Sequence, residues 1–303
     1  MSFIRIAVLT MLAMIAFAGN SILCRIALKH TGIDAASFTS IRLVSGAAVL
    51  WVIAFFFRSD RSGRGNWVSA FALFAYAASF SFAYISLTAA TGALLLFGAV
   101  QATMIGHYSW AGERLHKQQL AGLALAFGGL VCLLLPGLSA PPPVGSVLML
   151  IAGVAWGIYS VRGKGAGDAT RVTAGNFLRA SLFTALLSML CYSNSNPDIL
   201  GIVYAIASGA ITSGLGYAIW YSVLPVLKAT NAATVQLSVP AIAAFGGIII
   251  LGESLTLRVL LASFAILGGI ALAILIKGYR THTQHVVTAD AKSIATEFER
   301  LDA

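Results

Sequence analysis

The chain contains the stretch Gly112-Glu-Arg-Leu-His-Lys-Gln-Gln-Leu-Ala-Gly122 and, 140 residues later, the related stretch Gly252-Glu-Ser-Leu-Thr-Leu-Arg-Val-Leu-Leu-Ala262. The same offset continues downstream, where Gly128-Gly129 matches Gly268-Gly269. Self-similarity at a fixed offset indicates that the chain is built from repeated structural units. An offset of nearly half the chain therefore predicts two related halves.

The composition places most of the chain in lipid. Of its 303 residues, 59% are hydrophobic and 10% are charged, whereas soluble domains are about 45–50% apolar and about 25% charged. A soluble protein this apolar would have too little polar surface to cover its core. The net charge of +9 comes from residues in short connectors, which is typical of a topology signal. We predict an all-α integral membrane protein with no nucleic-acid partner.

Ten apolar segments have the length of about 20 residues that a membrane-spanning helix requires. Arg5, the apolar run after it and Ala16-Phe-Ala18 resemble a secretory signal with its cleavage site. The apolar run continues to Leu28, however, and the repeat needs this helix, so we predict a first span. We expect the ten spans near 4–28, 36–57, 67–87, 91–110, 118–136, 145–162, 173–192, 199–222, 231–251 and 257–276.

The distribution of Lys and Arg predicts the orientation of these spans, because cytoplasmic connectors carry the excess of positive charge. With ten spans both termini lie on one side. The other side holds only Lys29 and Arg258, whereas the side of the termini holds twelve basic residues, which are Arg5, Arg58, Arg61, Arg64, Arg114, Lys117, Arg162, Lys164, Arg171, Lys228, Lys277 and Arg280. We therefore expect both termini to be cytoplasmic, in the inner (plasma) membrane of the cell.

The two halves are expected to have opposite orientations, because each contains an odd number of spans. We predict a first five-helix repeat at 1–140, a second, inverted five-helix repeat at 141–280, and a cytoplasmic tail at 281–303. Inverted repeats are characteristic of secondary transporters, whose substrate site lies near the midplane between the halves.

The paired Gly-Glu-x-Leu turns at Gly112-Glu113 and Gly252-Glu253, the Gly-Gly near the end of each half, and Arg42 with Arg179 resemble the EamA family of the drug/metabolite transporter superfamily. The resemblance covers residues 4–276. It implies a ten-helix exporter with a cavity lined mainly by spans 1, 3, 4, 6, 8 and 9. Amino-acid exporters of the YddG kind belong to this group, but substrates vary within the family, so the resemblance does not identify one.

Polar and aromatic residues inside the predicted spans are candidates for the substrate site, because small-ligand sites combine apolar walls with a few polar groups. Packing or a position at the membrane interface is the alternative for the aromatic residues. Pro240 breaks the helical hydrogen-bond pattern, which frees a carbonyl or produces a simple packing kink. We predict that the site is formed by Asn20, Arg25, Tyr76, Phe80, Gln101, Trp156, Tyr159, Tyr217, Trp220 and Pro240.

Three arginines lie inside predicted spans, where a charge is costly. Arg25 either binds a substrate carboxylate or extends to the outer interface. Arg42 and Arg179 occupy equivalent repeat positions, so we assign them a shared structural role such as capping carbonyl groups, with substrate contact as the alternative.

No Asp or Glu lies well inside a predicted span. Glu113 and Glu253 open spans 5 and 10, where a carboxylate suits a helix N-terminus, so we predict structural roles for them. His107 in span 4 is a candidate proton-linked residue or a polar cap, because histidine is the side chain best suited to proton transfer under physiological conditions.

The sequence contains no nucleotide-binding loop of the Gly-x-x-x-x-Gly-Lys-Ser/Thr type, and Gly163-Lys-Gly-Ala-Gly167 follows a predicted membrane helix instead of a strand. Cys24, Cys132 and Cys191 are far apart in apolar runs, so neither a metal site nor a disulfide is expected. We predict no enzymatic activity and no cofactor.

Together these features predict a secondary transporter that exports amino acids or similar small zwitterions by alternating access, with membrane lipids as its other partner. A sugar-phosphate or nucleotide-sugar exchanger is the alternative in the same class. A membrane-embedded lipid-modifying enzyme and a passive channel are the alternatives from other classes.

Overall fold

A computed structural model describes residues 2–56, 63–110, 117–137, 140–163, 168–191, 198–227 and 229–274. The predicted tail at 281–303 and Glu113 lie outside the described residues. The helices are α1 (Phe3–His30), α2 (Ala35–Phe56), α3 (Trp67–Tyr84), α4 (Ala89–Trp110), α5 (Lys117–Leu134), α6 (Pro143–Gly163), α7 (Ala169–Leu190), α8 (Ile199–Ala207), α9 (Gly216–Val223), α10 (Ala229–Gln236), α11 (Ser238–Leu251) and α12 (Leu257–Ile274), with a π-helix at Ser208–Leu215 and a 3-10 turn at Leu224–Val226.

Nine segments of the described chain are long and apolar enough to cross a membrane. They are α1 to α6, the eighth span (Ile199–Val226), the segment Thr234–Leu251 and α12. The chain is therefore a multi-pass membrane protein. The predicted seventh span corresponds to α7, which has 22 residues but too polar a composition to join the nine. Four of its polar residues are buried inside the bundle, namely Thr170, Thr173, Asn176 and Thr184.

The outer surface of the bundle is apolar, as the composition predicts. Large side chains that a soluble protein would bury are exposed there, including Phe56, Met189, Phe245 and Phe264. Such a surface requires lipid as its solvent. Aliphatic and aromatic groups can face acyl chains without the free-energy cost that their exposure to water would carry.

Most helix contacts have a counterpart in which each helix is replaced by its equivalent from the other half. The contact of α3 with α6 corresponds to that of α1 with the eighth span, and the contact of α4 with α6 corresponds to that of α1 with α11. α2 packs on α7, and these two helices are each other's counterparts in the repeat. The repeat in the sequence is therefore reproduced in the packing.

Small residues allow these helices to approach closely, which is the usual device where lipid provides no hydrophobic driving force. A Cβ atom added at Gly153 of α6 would lie 2.5 Å from the Cβ atom of Ala99 in α4. The repeated Gly-Gly has the same function, since a Cβ atom at Gly129 of α5 would lie 2.7 Å from that of Ala265 in α12.

The eighth and ninth spans are irregular. The eighth contains the π-helix 208–215 between α8 and α9, and π-helical turns often occur at functional sites. The ninth, at 229–251, is interrupted at Leu237 between α10 and α11. Pro240 explains the interruption, because it has no N–H to donate to the carbonyl of Gln236 and its ring clashes with that carbonyl.

The repeated Gly-Glu turn has a specific geometry in the second half. Gly252 has a φ angle of +61°, which is the left-handed conformation that glycine adopts readily at the end of a helix. The next amide, that of Glu253, donates to the carbonyl of Gly247 at 3.1 Å. This turn ends α11 and directs the Glu253 side chain back toward the bundle, where only 9% of the residue is exposed.

Candidate functional site

A cavity of about 530 Å³ lies between the two halves of the bundle. α1 to α4, α6, α7 and the eighth and ninth spans contribute to its lining, whereas no described residue of α5 or α12 does. The volume is in the range of small-ligand sites, which is about 300–1,000 Å³.

The cavity reaches one end of the bundle and stops short of the other. At the open end it is lined by Arg162 and Gly163 at the end of α6, Ala169 at the start of α7 and Pro225 in the 3-10 turn. Toward the opposite end its lining residues lie a turn or more from the helix ends, as Phe80 does in α3.

Eight of the ten residues predicted for the site line this one cavity, although they come from five different spans. They are Asn20, Tyr76, Phe80, Gln101, Trp156, Tyr159, Tyr217 and Trp220. Arg25 and Pro240 are the two that do not line it.

An aromatic wall centred on Trp156 forms one side of the cavity. The centre of the Trp156 ring lies 4.8 Å from that of Tyr76, 5.3 Å from that of Tyr159 and 5.3 Å from that of Tyr217. Phe17 of α1 extends the wall, with its ring centre 5.6 Å from that of Tyr217. Such rings offer apolar contact to a side chain and their negative faces to a cation.

A chain of hydrogen bonds joins the two halves beside the cavity. Asn20 Nδ2 donates to Tyr76 Oη at 3.3 Å, and Ser208 Oγ of the π-helix donates to Asn20 Oδ1 at 2.7 Å. Asn20 therefore joins α1 to α3 and to the eighth span. Its position makes it a polar group of the site whose amide is held by hydrogen bonds to both halves.

Arg42 is the most deeply buried charged residue of the lining, with 1% of its surface exposed. Its Nη2 donates to Tyr76 Oη at 3.1 Å, and its guanidinium lies over the rings of Tyr76 and Phe80, 5.2 and 5.0 Å from their centres. The Arg42 side chain is held by aromatic faces and hydroxyl groups, and the described lining contains no carboxylate.

The close approach that brings Arg42 to the eighth span depends on Gly209. A Cβ atom at this position would overlap the carbonyl oxygen of Arg42. The π-helix then places Ser213 beside the guanidinium, with Oγ 3.4 Å from Nε.

Polar contacts at the open end connect α6 and α7 with the start of α3. Asn176 accepts a hydrogen bond from the amide of Asn66 at 2.9 Å and donates to Tyr159 Oη at 3.4 Å. Arg162, the second cation of the lining, donates to Ser69 Oγ at 3.4 Å. A ligand entering from this end therefore meets a positive charge at the mouth and another deep in the cavity.

Arg25 lies beyond the closed end, in an ion pair with Glu253. Its Nε is 3.0 Å from Glu253 Oε1, and its Nη1 donates to the carbonyls of Tyr84 and Ile85 at 2.8 and 3.0 Å. Glu253 Oε2 accepts from the amide of Ala89 at 2.8 Å, so its carboxylate caps the N-terminus of α4 and not that of α12. These contacts join α1, α3, α4 and the end of the ninth span.

The remaining candidates lie outside the cavity. Pro240 is buried in α11, although Gln236, whose carbonyl it leaves without a helical donor, lines the cavity. His107 is exposed in the last turn of α4. Arg179 Nη1 donates to the carbonyls of Arg64 and Gly175 at 2.6 and 2.9 Å, and so links α7 to the segment before α3.

Ser213 and Gln236 were not predicted as site residues from the sequence, and for Arg42 substrate contact was only the alternative to a structural role. The run Ser208-Gly-Ala-Ile-Thr-Ser-Gly214 was the available signal, since small and hydroxyl residues in a membrane span indicate a close helix contact. Pro240 predicted a freed carbonyl, and the structure identifies the residue that carries it as Gln236, four positions earlier.

Comparison with known proteins agrees with this architecture. The sequence profile of the EamA-like transporter family matches the chain twice, over residues 4–135 and 143–275. The chain is 56% identical over 269 residues to an uncharacterized protein of Pseudomonas aeruginosa. These residues cover 88% of this chain and 94% of the relative.

More distant relatives are described as transporters. An uncharacterized transporter of Archaeoglobus fulgidus is 26% identical, over 80% of this chain and 88% of its own length. The uncharacterized transporter YoaV of Bacillus subtilis is 21% identical, over 77% and 85%. A solved crystal structure with 18% identity covers 91% of this chain and 99% of its own with a TM-score of 0.65, which shows a shared fold. The chain belongs to the EamA-like transporter family and is a membrane transporter.

Proposed function

We propose that the protein is a secondary transporter that exports amino acids or similar small zwitterionic metabolites. The observation that carries this proposal is the cavity between the two halves, which has an aromatic wall, two arginines and no acidic residue in its described lining. A carboxylate is attracted by the arginines, whereas an ammonium group is attracted by aromatic faces. A zwitterion presents both groups without adding net charge to the membrane interior.

We further propose that α7 is a membrane span, which makes ten, and that the halves are inverted repeats with both termini in the cytoplasm of a cell whose inner membrane holds the protein. The 22-residue length of α7 and the pairwise correspondence of helix contacts support this arrangement. In this orientation the end of α6, and with it the mouth of the cavity, faces the cytoplasm. An exporter must take up its substrate from that side.

Alternating access requires the opposite end of the cavity to be closed in this state. The ion pair between Arg25 and Glu253, together with the bonds to Tyr84, Ile85 and Ala89, supports closure on the outer side. These contacts connect helices from both halves, so an outward-open state has to break or rearrange them.

The rival functions are less well supported. A sugar-phosphate exchanger needs several cations around one dianion, whereas Arg162 lies at the mouth and Arg42 is deep in the cavity. For a metal-dependent lipid-modifying enzyme, the described residues offer no group of three or more His, Cys, Asp or Glu side chains that could hold the metal ion. A permanently open channel would not need the contacts of Arg25 at the closed end.

Counterflow in proteoliposomes tests the proposal. Vesicles that contain the purified protein and a high concentration of one unlabelled amino acid are placed in a trace of the labelled compound, and each of a panel of amino acids and sugar phosphates is tested in turn. We expect saturable accumulation for at least one amino acid and none in vesicles without protein. Accumulation of sugar phosphates alone would favour the exchanger, and rates that do not saturate would favour a channel.

A further inference from the structure

We propose that Arg42 binds the carboxylate of the transported ligand, so that the ligands of this cavity are carboxylates, with amino acids as the zwitterionic case. The inference rests on the transport function proposed above and deepens it, because it assigns the charged group of the ligand to one side chain. The equivalent positions of Arg42 and Arg179 in the sequence predict a shared structural role for both, with substrate contact as the alternative.

The hydrogen bonds of the Arg42 guanidinium leave it with unused donors. Nη2 donates to Tyr76 Oη at 3.1 Å, and Nε lies 3.4 Å from Ser213 Oγ, which is longer than a well-formed N–H···O bond. Nη1 has no hydrogen-bond partner among the described residues. A guanidinium presents its N–H groups as a planar fork that matches the two oxygens of a carboxylate.

The positive charge of Arg42 also lacks a carboxylate counter-ion in the described part of the chain. The one ion pair found there joins Arg25 to Glu253. Arg42 lies seven residues from the start of α2, which is about 10 Å along the helix axis and so inside the apolar layer. The rings of Tyr76 and Phe80 offset part of the cost of this charge, and an anionic ligand would offset more.

Tyr76 supplies a second donor beside the guanidinium. Its hydroxyl oxygen accepts hydrogen bonds from both Arg42 Nη2 and Asn20 Nδ2. A tyrosine hydroxyl has two lone pairs and one proton, so two accepted bonds leave the proton for a further acceptor. A carboxylate in the cavity can accept from Arg42 with one oxygen and from Tyr76 with the other, and its apolar part then lies toward Trp156.

Arg179 provides a contrast within the same fold. Its Nη1 is shared between the carbonyls of Arg64 and Gly175, and its guanidinium lies 5.7 Å from the ring centre of Trp67, outside the cavity lining. The repeat thus has one arginine that holds backbone carbonyls together and one that lines a cavity and keeps an unpaired donor. Arg179 is therefore a matched control for Arg42.

The first arm of the test changes the ligand and leaves the protein intact. Isothermal titration of the purified full chain in detergent compares L-leucine and isocaproate, which have a carboxylate, with L-leucinamide and isoamylamine, which do not. We expect the two carboxylates to bind and the other two to bind about 10- to 100-fold more weakly, as the loss of a charge-assisted hydrogen bond predicts. Equal affinity for L-leucine and L-leucinamide would overturn the proposal.

The second arm changes the arginines. Each variant is measured only in preparations that elute as folded protein. We expect Arg42→Gln to weaken L-leucine binding to the level of L-leucinamide and Arg42→Lys to weaken it less. We expect Arg179→Gln to leave L-leucine binding unchanged. L-leucine binding that survives Arg42→Gln, with a chloride dependence that the substitution abolishes, would assign the guanidinium to an inorganic anion and overturn the proposal.

The two proposals fail in different ways. If the parent protein binds no amino acid and no isocaproate in these titrations, and none is transported in counterflow, the proposed function and the role of Arg42 both fall. If amino acids are transported but amides and amines compete equally well, the transport function stands and the assignment of Arg42 falls.

Discussion

Trp156 has ring contacts with three residues, Tyr76, Tyr159 and Tyr217. We expect Trp156→Ala to raise the Michaelis constant for transport about 2- to 30-fold, which corresponds to the 0.5–2 kcal/mol typical of a cation–π contact. The measurement is the concentration dependence of amino-acid uptake in proteoliposomes. Trp51→Ala is the matched control, because that ring is 60% exposed on the outer surface. Equal Michaelis constants for the parent and Trp156→Ala would show that the aromatic wall does not contact the substrate.

Asp198 provides a pH-dependent contact outside the membrane. Hydrogen bonds from the amide of Gly32 at 2.6 Å and from that of Leu200 at 3.0 Å lower the pKa of this carboxyl below its ordinary value of 3.8. The ionised form is therefore the one that stabilises the fold, so its contribution is complete above pH 3.8 and is lost as the pH falls through the lowered pKa.

We therefore expect Asp198→Ala to lower the thermal unfolding temperature in detergent at pH 7 and to differ less from the parent as the pH falls below 3.8. Asp198→Asn keeps an oxygen that can cap α8 but removes the charge, so it should lie between the two at pH 7. A difference between parent and Asp198→Ala that stays constant down to pH 3 would show that the charge is not responsible.

Individual residues differed in how far the sequence could predict them. Tyr76, Trp156 and Tyr217 could be found because aromatic residues near the middle of spans are unusual enough to stand out. The pairing of Arg25 with Glu253 could not, because the two are 228 positions apart and each had a sufficient local explanation. A charge near a helix end is compatible with the interface, with a cap and with an ion pair, and only the fold decides among them.

At the scale of helices, the contact between α4 and α6 depends on glycine. A Cβ atom at Gly153 would lie 2.7 Å from the carbonyl oxygen of Leu96 and 2.5 Å from the Cβ atom of Ala99. We expect Gly153→Leu to force the helices apart and to destabilise the protein by about 1–3 kcal/mol, the usual cost of overpacking. Thermal unfolding in detergent measures this effect.

The control for this change is Gly106→Leu, in the same pair of helices, where a Cβ atom would meet nothing within 4 Å. It should unfold close to the temperature of the parent. Similar unfolding temperatures for Gly153→Leu and Gly106→Leu would mean that the α4–α6 contact is not close enough to exclude a side chain.

The sequence predicted the regular helices well and the irregular ones poorly. Apolar length alone placed most spans within a few residues of their bounds, since the bilayer sets that length. It could not place the π-helix at 208–215, because an apolar run has the same appearance whether the helix inside it is regular or widened. It placed the seventh span at 173–192, later than the observed start of α7 at Ala169, since polar residues that face the bundle interior reduce the hydropathy by which spans are recognised.

The whole molecule combines a repeated framework with an asymmetric interior. Helix contacts follow the repeat, yet Arg42 and Arg179 have diverged, and the π-helix of the eighth span has no counterpart in α3, which is regular. A transporter gains from both properties. Equivalent halves can exchange conformations at little energetic cost, and a single asymmetric cavity between them can recognise one class of ligand.

The closed end of the cavity yields a prediction about this exchange. Glu253→Gln keeps an acceptor for the amide of Ala89 but removes the charge that pairs with Arg25. Loss of one partner of a buried ion pair is costly, and the cost falls on the state in which the outer end is closed. We therefore expect the variant to populate the outward-open state more, by about tenfold if the coupling is of ordinary size.

The readout for Glu253→Gln is the accessibility of a single reporter, Thr212→Cys in the cavity, in a chain whose three native cysteines are replaced by serine. A membrane-impermeant maleimide is added to sealed vesicles of either orientation. In the parent we expect labelling mainly from the cytoplasmic side, and in Glu253→Gln faster labelling from the outer side. Asp198→Asn, which changes a carboxylate on the same side without touching Arg25, should label like the parent. If Glu253→Gln also labels like the parent from both sides, the ion pair supports the fold but does not hold the outer end closed.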